Sequence, residues 1–431
     1  PFFGNLKKNI DNVKLRLSYG SLGNQQVGYY DYIQTINTNG TMNYIFGDQK
    51  KGSYASVSDP NSADLTWETV STWNVGLDLG FLNNRLNLTA DAYVRDTKGM
   101  QTSGKKLPGA YGANEPKQNA ANLRTKGWEL MLTWNDAFKL ANKPFRYNLS
   151  VGLADNTSEI TKFDNPSKIL SDYYVGQKLG DIWGYVVDGL FRTDEEAANY
   201  NVDQTAVNFV INTAQVNPGL HAGDMKFVDL DGDHTISSGS NTADDPGDRK
   251  IIGNSLPRYT YSIQGGFDWY GFDFSIYLQG VGHQDWYPGT NSVFFWGPYA
   301  RPYSSFIPRD FLSQVWSPEN PDAYFPRPIG YLALGNNRSL GVVNDRYLQN
   351  LRYLRFKNLT VGYTLPQSWT GKARIESVRI YFTGENLCYW SPLKKHSRYV
   401  DPEAAIDRSD AYNNAYYPWQ KSFLFGIDVT F

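Results

Sequence analysis

The last stretch of the chain, Ser422 to Phe431 (SFLFGIDVTF), restricts the fold more than any other. Phe423, Phe425, Ile427, Val429 and Phe431 share one face of an extended segment. Leu424, Gly426, Asp428 and Thr430 share the other. Side chains of a strand alternate with a period of two, so this is an apolar face backed by a small or polar one. A single run of this kind also suits the last strand of a soluble sandwich. Its recurrence along the chain separates the two.

The same alternation is read at Val13–Tyr19, Trp73–Leu79, Leu86–Val94, Trp128–Trp134, Phe145–Leu153, Tyr259–Trp269, Phe272–Leu278, Leu354–Tyr363 and Val378–Phe382. With the terminal run this makes about ten strands, each near the roughly 9–11 residues that cross an outer membrane at a tilt. Leu354 and Phe356 share one parity and Leu359, Val361 and Tyr363 the other, which predicts a β-bulge near Lys357-Asn358. Connections after Leu79, Trp134, Tyr270 and Tyr363 are short. Those after Tyr19, Val94, Leu153, Leu278 and Phe382 are long. Short turns at one end and long loops at the other mark an outer-membrane barrel. The faces opposite the apolar rows carry Arg16, Asp78, Asp91, Arg95, Arg146, Asp273, Arg379 and Glu385, as a water-filled interior would. The rival is a large soluble β protein whose apolar rows form a core.

Composition fits a wall greasy on one side and wet on the other. The mean hydropathy is -0.51, yet aromatics reach 15%. No run of about 18 apolar residues offers a transmembrane helix. A net charge of -2 points away from nucleic acid, and one cysteine, Cys388, rules out an internal disulfide framework. The chain starts at Pro1 with neither Met nor a signal segment, which reads as a fragment or processed product.

Several runs then resemble the SusC/RagA family of TonB-dependent transporters. They include Lys14-Leu15-Arg16-Leu17-Ser18-Tyr19-Gly20, Gly76-Leu77-Asp78-Leu79-Gly80-Phe81-Leu82-Asn83-Asn84-Arg85-Leu86 and Asn122-Leu123-Arg124-Thr125-Lys126-Gly127-Trp128-Glu129. Leu354-Arg355-Phe356-Lys357-Asn358-Leu359-Thr360-Val361-Gly362-Tyr363, Tyr381-Phe382-Thr383-Gly384-Glu385-Asn386-Leu387 and Asp401-Pro402-Glu403 continue the series in family order. The resemblance implies an all-β transmembrane antiparallel barrel of 22 strands in a Bacteroidetes outer membrane. Residues 1–431 would be its C-terminal half, with long extracellular loops and with the N-terminal plug domain outside this chain. It further implies TonB-dependent import of an oligomeric nutrient, preferably an oligosaccharide, beneath a SusD-like lipoprotein lid. An oligopeptide importer, a passive porin and a surface adhesion barrel are the alternatives. Phe425, Ile427, Val429 and Phe431 resemble the signal read by the barrel assembly machinery.

Two local features invite ligands. Asp229, Asp231 and Asp233 occupy positions 1, 3 and 5 of a calcium-type loop, with the Thr235 carbonyl at 7. Position 6 is His234 rather than Gly, and position 12 is Ser240 rather than Glu, so a later acid, Asp244, Asp245 or Asp248, must close the site. In family context that acid is Asp248. Ca²⁺ is the expected ion because every donor is hard oxygen; a self-capped Asx turn is the simpler alternative. The connection Val281–Arg346 is rich in rings, among them Trp286, Tyr287, Phe294, Phe295, Trp296 and Tyr299. Together with Tyr389 and Trp390 these are the candidate cargo contacts, since aromatic faces stack on sugars. They would equally pack the loop itself or meet the lid. No nucleophile elbow, zinc helix or phosphate loop occurs, and the four histidines are scattered, so an enzyme is not expected.

Overall fold

The computed structural model describes residues 10–24, 33–45, 47, 51–62, 65–103, 108–207, 219–290, 292–300, 307, 309–335, 338–397, 400–405 and 419–431. Ten strands form one sheet: β1 (Ile10–Asn24), β2 (Glu68–Phe81), β3 (Leu86–Ser103), β4 (Lys117–Leu140), β5 (Lys143–Lys162), β6 (Arg258–Trp269), β7 (Phe272–His283), β8 (Tyr353–Thr364), β9 (Ser377–Trp390) and β10 (Ser422–Thr430). Each pairs antiparallel with the next in sequence. The sheet is not closed; β1 and β10 are its two edges.

Connections alternate as the sequence predicts. Residues 82–85, 141–142, 270–271 and 365–376 join strands at one end; 25–67, 104–116, 163–257, 284–352 and 391–421 join them at the other. At two tight turns both central residues take positive φ, Ala141 (49°) with Asn142 (61°) and Tyr270 (51°) with Gly271 (87°), as a type I′ hairpin requires. The bulge falls where expected: Leu278 and Tyr277 of β7 face Phe356 and Asn358, skipping Lys357.

Registry joins the apolar parities into continuous outward rows. One runs Tyr147–Phe267–Phe274–Val361–Phe382–Phe425 across six strands. In the middle of the sheet Leu132 and Leu149 are still 43% and 45% exposed. On β5 this row of side chains runs from Phe145 to Leu153 and stops at Asp155, which is held by Arg258. That height matches the roughly 9–11 residues of a tilted membrane strand. Strands β4 and β5 continue beyond it.

The hydrophobic core lies elsewhere. Every member of the larger buried cluster belongs to 163–257 or 284–352, and its centre is Met225, Phe227, Trp296, Phe325, Leu340 and Tyr347. These two connections therefore fold into one dome at the long-loop end. Two-stranded ribbons stiffen it, Asp181–Tyr185 with Arg249–Asn254 and Val187–Leu190 with Met225–Phe227. Cross-bonds tie its halves, among them Tyr185 N to Val343 O at 2.9 Å and Arg327 Nε to Asp224 Oδ1 at 2.6 Å.

Candidate functional site

The face opposite the apolar rows is built from hydroxyls, amides and paired charges. Two adjacent rows cross its middle. One is Asn135–Asn148–Gly266–Ser275–Thr360–Thr383; the other is Thr133–Ser150–Gln264–Tyr277–Asn358–Glu385. Only Glu385, at one end, carries a charge. Ser150 Oγ donates to Thr133 Oγ1 at 3.3 Å, and the Thr360 and Thr383 hydroxyls lie 3.1 Å apart. Most of these groups keep donor or acceptor capacity for water or a ligand.

Two networks of paired charge lie on this face. Arg16 on β1 bonds Asp78 on β2 (3.0 Å) and Asp91 on β3 (2.8 Å). Arg379 on β9 bonds Asp273 on β7 (2.6 Å) and Asp428 on β10 (3.2 Å). Each arginine reaches an acid two strands away because the intervening residue is glycine. A Cβ on Gly76 would fall 2.5 Å from Arg16 Cζ, and one on Gly362 would collide with Asp273. Beside the first network a recess of about 360 Å³ is lined by Thr89, Glu129, Met131, Ser262 and Gln279.

The ring-rich connection folds inward. Trp286, Phe295, Trp296 and Tyr299 are 4%, 3%, 0% and 2% exposed. Cargo stacking needs an open ring face, and these four present none; they pack the dome and its base. Burial drives the Tyr299 and Tyr347 phenols above their ordinary range. The Tyr287 hydroxyl lies between Leu340 O (3.1 Å) and Val342 O (2.9 Å), which share its one proton. The Phe294 side chain lies outside the described residues. Trp390, 56% exposed, pairs with Leu354 and so shares the outward face, away from the polar one. Tyr389 has Arg355 and Lys394 over its ring at 4.8 and 3.7 Å.

In the acidic loop, Asp229, Asp231 and Asp248 each bring a carboxylate oxygen within 4.8 Å of the others. Asp233 is not among them: it turns to accept the Thr235 N–H at 2.7 Å. Asp248, fully buried, accepts from Leu230 N and Ser237 N, both at 2.7 Å. Asp229 accepts from Gly232 N (2.6 Å) and His234 N (2.9 Å), with His234 at φ 64°. The Asp231 carboxyl is raised: the Asp233 N–H lowers it, but partial desolvation and the carboxylates of Asp248, Asp233 and Asp229 outweigh that bond. Carboxylate oxygens retain a second lone pair, so the three-acid set fits a hard cation.

An antiparallel meander with an apolar outer band, a polar inner face and one-sided long loops defines a segment of a transmembrane β-barrel wall. No protein-family model matches the chain. Among curated proteins it is 28% identical over 442 residues to the TonB-dependent receptor SusC of Bacteroides thetaiotaomicron, covering 98% of this chain and 38% of that protein. It is 26% identical over 444 residues to TonB-dependent receptor P3 of Formosa agariphila, covering 98% of this chain and 40% of that one. The chain thus spans about 40% of the length of the curated relatives it matches. The fold is shared with a solved structure described as the RagAB peptide transporter, at TM-score 0.69 and 20% identity, over 100% of this chain and 42% of that one. The resemblance to SusC/RagA-type TonB-dependent transporters therefore holds over nearly the whole chain. These relatives are named as receptors and transporters, not enzymes.

Proposed function

We infer that this chain forms the C-terminal half of the wall of an outer-membrane importer driven through TonB, and that its cargo is an oligosaccharide. The observation that carries the reading is the two-faced sheet. Its apolar band, Phe145–Leu153 on β5, suits acyl chains, and its opposite face offers to an aqueous passage a belt of hydrogen-bonding groups in which only Glu385 is charged. Sugar hydroxyls pair with Ser, Thr, Asn and Gln without stranding a charge, whereas a peptide's ionised groups would find few free counter-charges along those two rows. In this reading a SusD-like lipoprotein covers the mouth, a plug encoded outside this chain occupies the lumen, and Phe425, Ile427, Val429 and Phe431 serve as the assembly signal. A peptide cargo is the second reading, favoured by the fold shared with the RagAB peptide transporter.

Binding to the full-length protein, purified with any copurifying lipoprotein, tests the cargo. Neutral oligosaccharides and oligopeptides of matched length are titrated side by side. Heat with the glycans alone supports the reading, and heat with the peptides alone replaces it. Uptake that persists in a strain lacking TonB would leave a passive porin.

A further inference from the structure

Among the long connections, the last is tied into the wall by charge. Arg355 is the third residue of β8. Its neighbours Leu354 and Phe356 face outward, registered with Gly280 and Leu278 on β7 and with Trp390 and Cys388 on β9. Arg355 therefore lies on the inner face, opposite Gln279, at the long-loop end. It is only 2% exposed. Asp401 and Glu403 of the last connection cover it. Its Nη2 lies 2.6 Å from both Asp401 carboxylate oxygens, and its Nε 3.2 Å from Glu403 Oε2. Glu403 is also held by Lys357 Nζ at 2.9 Å and by the Tyr353 hydroxyl, which donates at 2.8 Å. Two cations meet two anions, so the set is charge-balanced. The bulge makes this possible: the extra residue, Lys357, joins Arg355 on the inner face without disturbing the outward rows on either side.

Two further ties hold the same segment. Leu393, Val400 and Ala405 pack with Trp286 and Leu351 in a second buried cluster. His396 stacks on Tyr324 of the dome, with centroids 3.6 Å apart and planes at 11°. A segment fixed to the inner face at the open end narrows that end.

We propose that Ser391–Ser397 and Val400–Ala405 form a strap laid across the inner side of the barrel mouth, latched by Arg355 and Lys357, and that unlatching widens the entrance. The proposal rests on the reading of this face as the lumen. A buried arginine stripped of its carboxylates is left uncompensated, which makes the latch all-or-none rather than graded.

The test uses the full-length protein in outer-membrane vesicles, comparing the wild type with the Asp401→Asn/Glu403→Gln double variant. Both changes lie in a connection, and gel mobility before and after heating reports whether the barrel has formed. Hydrogen exchange across 391–405 is expected to rise about tenfold or more while β5 to β7 stay protected, and influx of a bulky, normally excluded antibiotic is expected to rise with it. Lys357→Met, which keeps Arg355 paired, gives a smaller rise and covers the case in which the double variant does not assemble. Unchanged exchange in a formed barrel overturns the latch. A rise shared equally by β8 and β9 overturns it too, since the cluster would then be a strand staple. Faster exchange with unchanged influx overturns the role at the entrance. Cargo import is not among the readouts, so a failed import reading leaves these results interpretable, and the converse also holds.

Discussion

The wall and the dome dispose of their aromatic and aliphatic side chains in opposite ways. On β5, Leu149 looks outward and is 45% exposed; in the dome Phe325 and Trp296 are 1% and 0% exposed. The wall is stabilised by backbone ladders and cross-strand pairs, and its apolar surface needs a surrounding solvent of acyl chains. The dome buries its own core and needs only water around it. One chain thus carries two solvents' worth of patterning, and period-two alternation belongs only to the part that meets lipid.

The contrast breaks most visibly at the dome's centre. Trp296→Ala is expected to cost about 3–5 kcal/mol, by lost burial plus the cavity left behind. Hydrogen exchange should show this across 163–257 and 284–352 while β1 to β5 keep their protection. Collapse of the wall as well would show that the two regions fold as one. Next in size, Leu132→Arg on the outer row is expected to cost about 2–4 kcal/mol in barrel stability in vesicles, whereas Thr133→Arg, one residue along on the inner face, should cost far less. Equal costs would erase the distinction between the faces.

Smaller effects probe the joints. Gly362→Ala puts a methyl into the path between Arg379 and Asp273 and is expected to cost about 1–3 kcal/mol, seen as a lowered denaturation midpoint. His396 is held down at about 4, first by burial and then by Lys395 and Arg346. The unfolded side chain titrates near 6.5, so it binds a proton in that window when the folded one does not. Stability of the strap-to-dome joint is therefore full above about pH 6.5 and falls as pH drops through 4, by about 1–3 kcal/mol. His396→Phe should flatten that dependence in hydrogen exchange of 391–405. The smallest expected effect is that of Ca²⁺ at Asp229, Asp231 and Asp248: a rise of a few degrees in the melting of the dome, lost in Asp231→Asn. No heat of binding at about millimolar calcium, the weak end for such loops, would end that reading.

The ten strands were legible because lipid on one side and water on the other impose a period of two. The bulge at Lys357-Asn358 was legible because parity switches there. The upper parts of β4 and β5 were not: above Asp155 both faces meet polar surroundings, and the alternation fades. The ring-rich run after Val281 announced burial or binding without saying which, since Trp296 and Phe295 have the same chemistry in a core as at a mouth. Asp401-Pro402-Glu403 stood out as a motif, yet its partners Arg355 and Lys357 lie 46 residues away across β9. Only the fold brings them together.

Everything depends on the direction in which the rows on β5 point. Single cysteines placed at Leu149, Ser150, Val151 and Gly152, with Cys388 replaced by Ser, can be labelled in intact outer membranes with a charged, water-borne maleimide. Labelling at 150 and 152 with protection at 149 and 151 is the predicted result. Labelling at 149 and 151 instead, or at all four alike, would contradict a wall that is greasy outside and wet within.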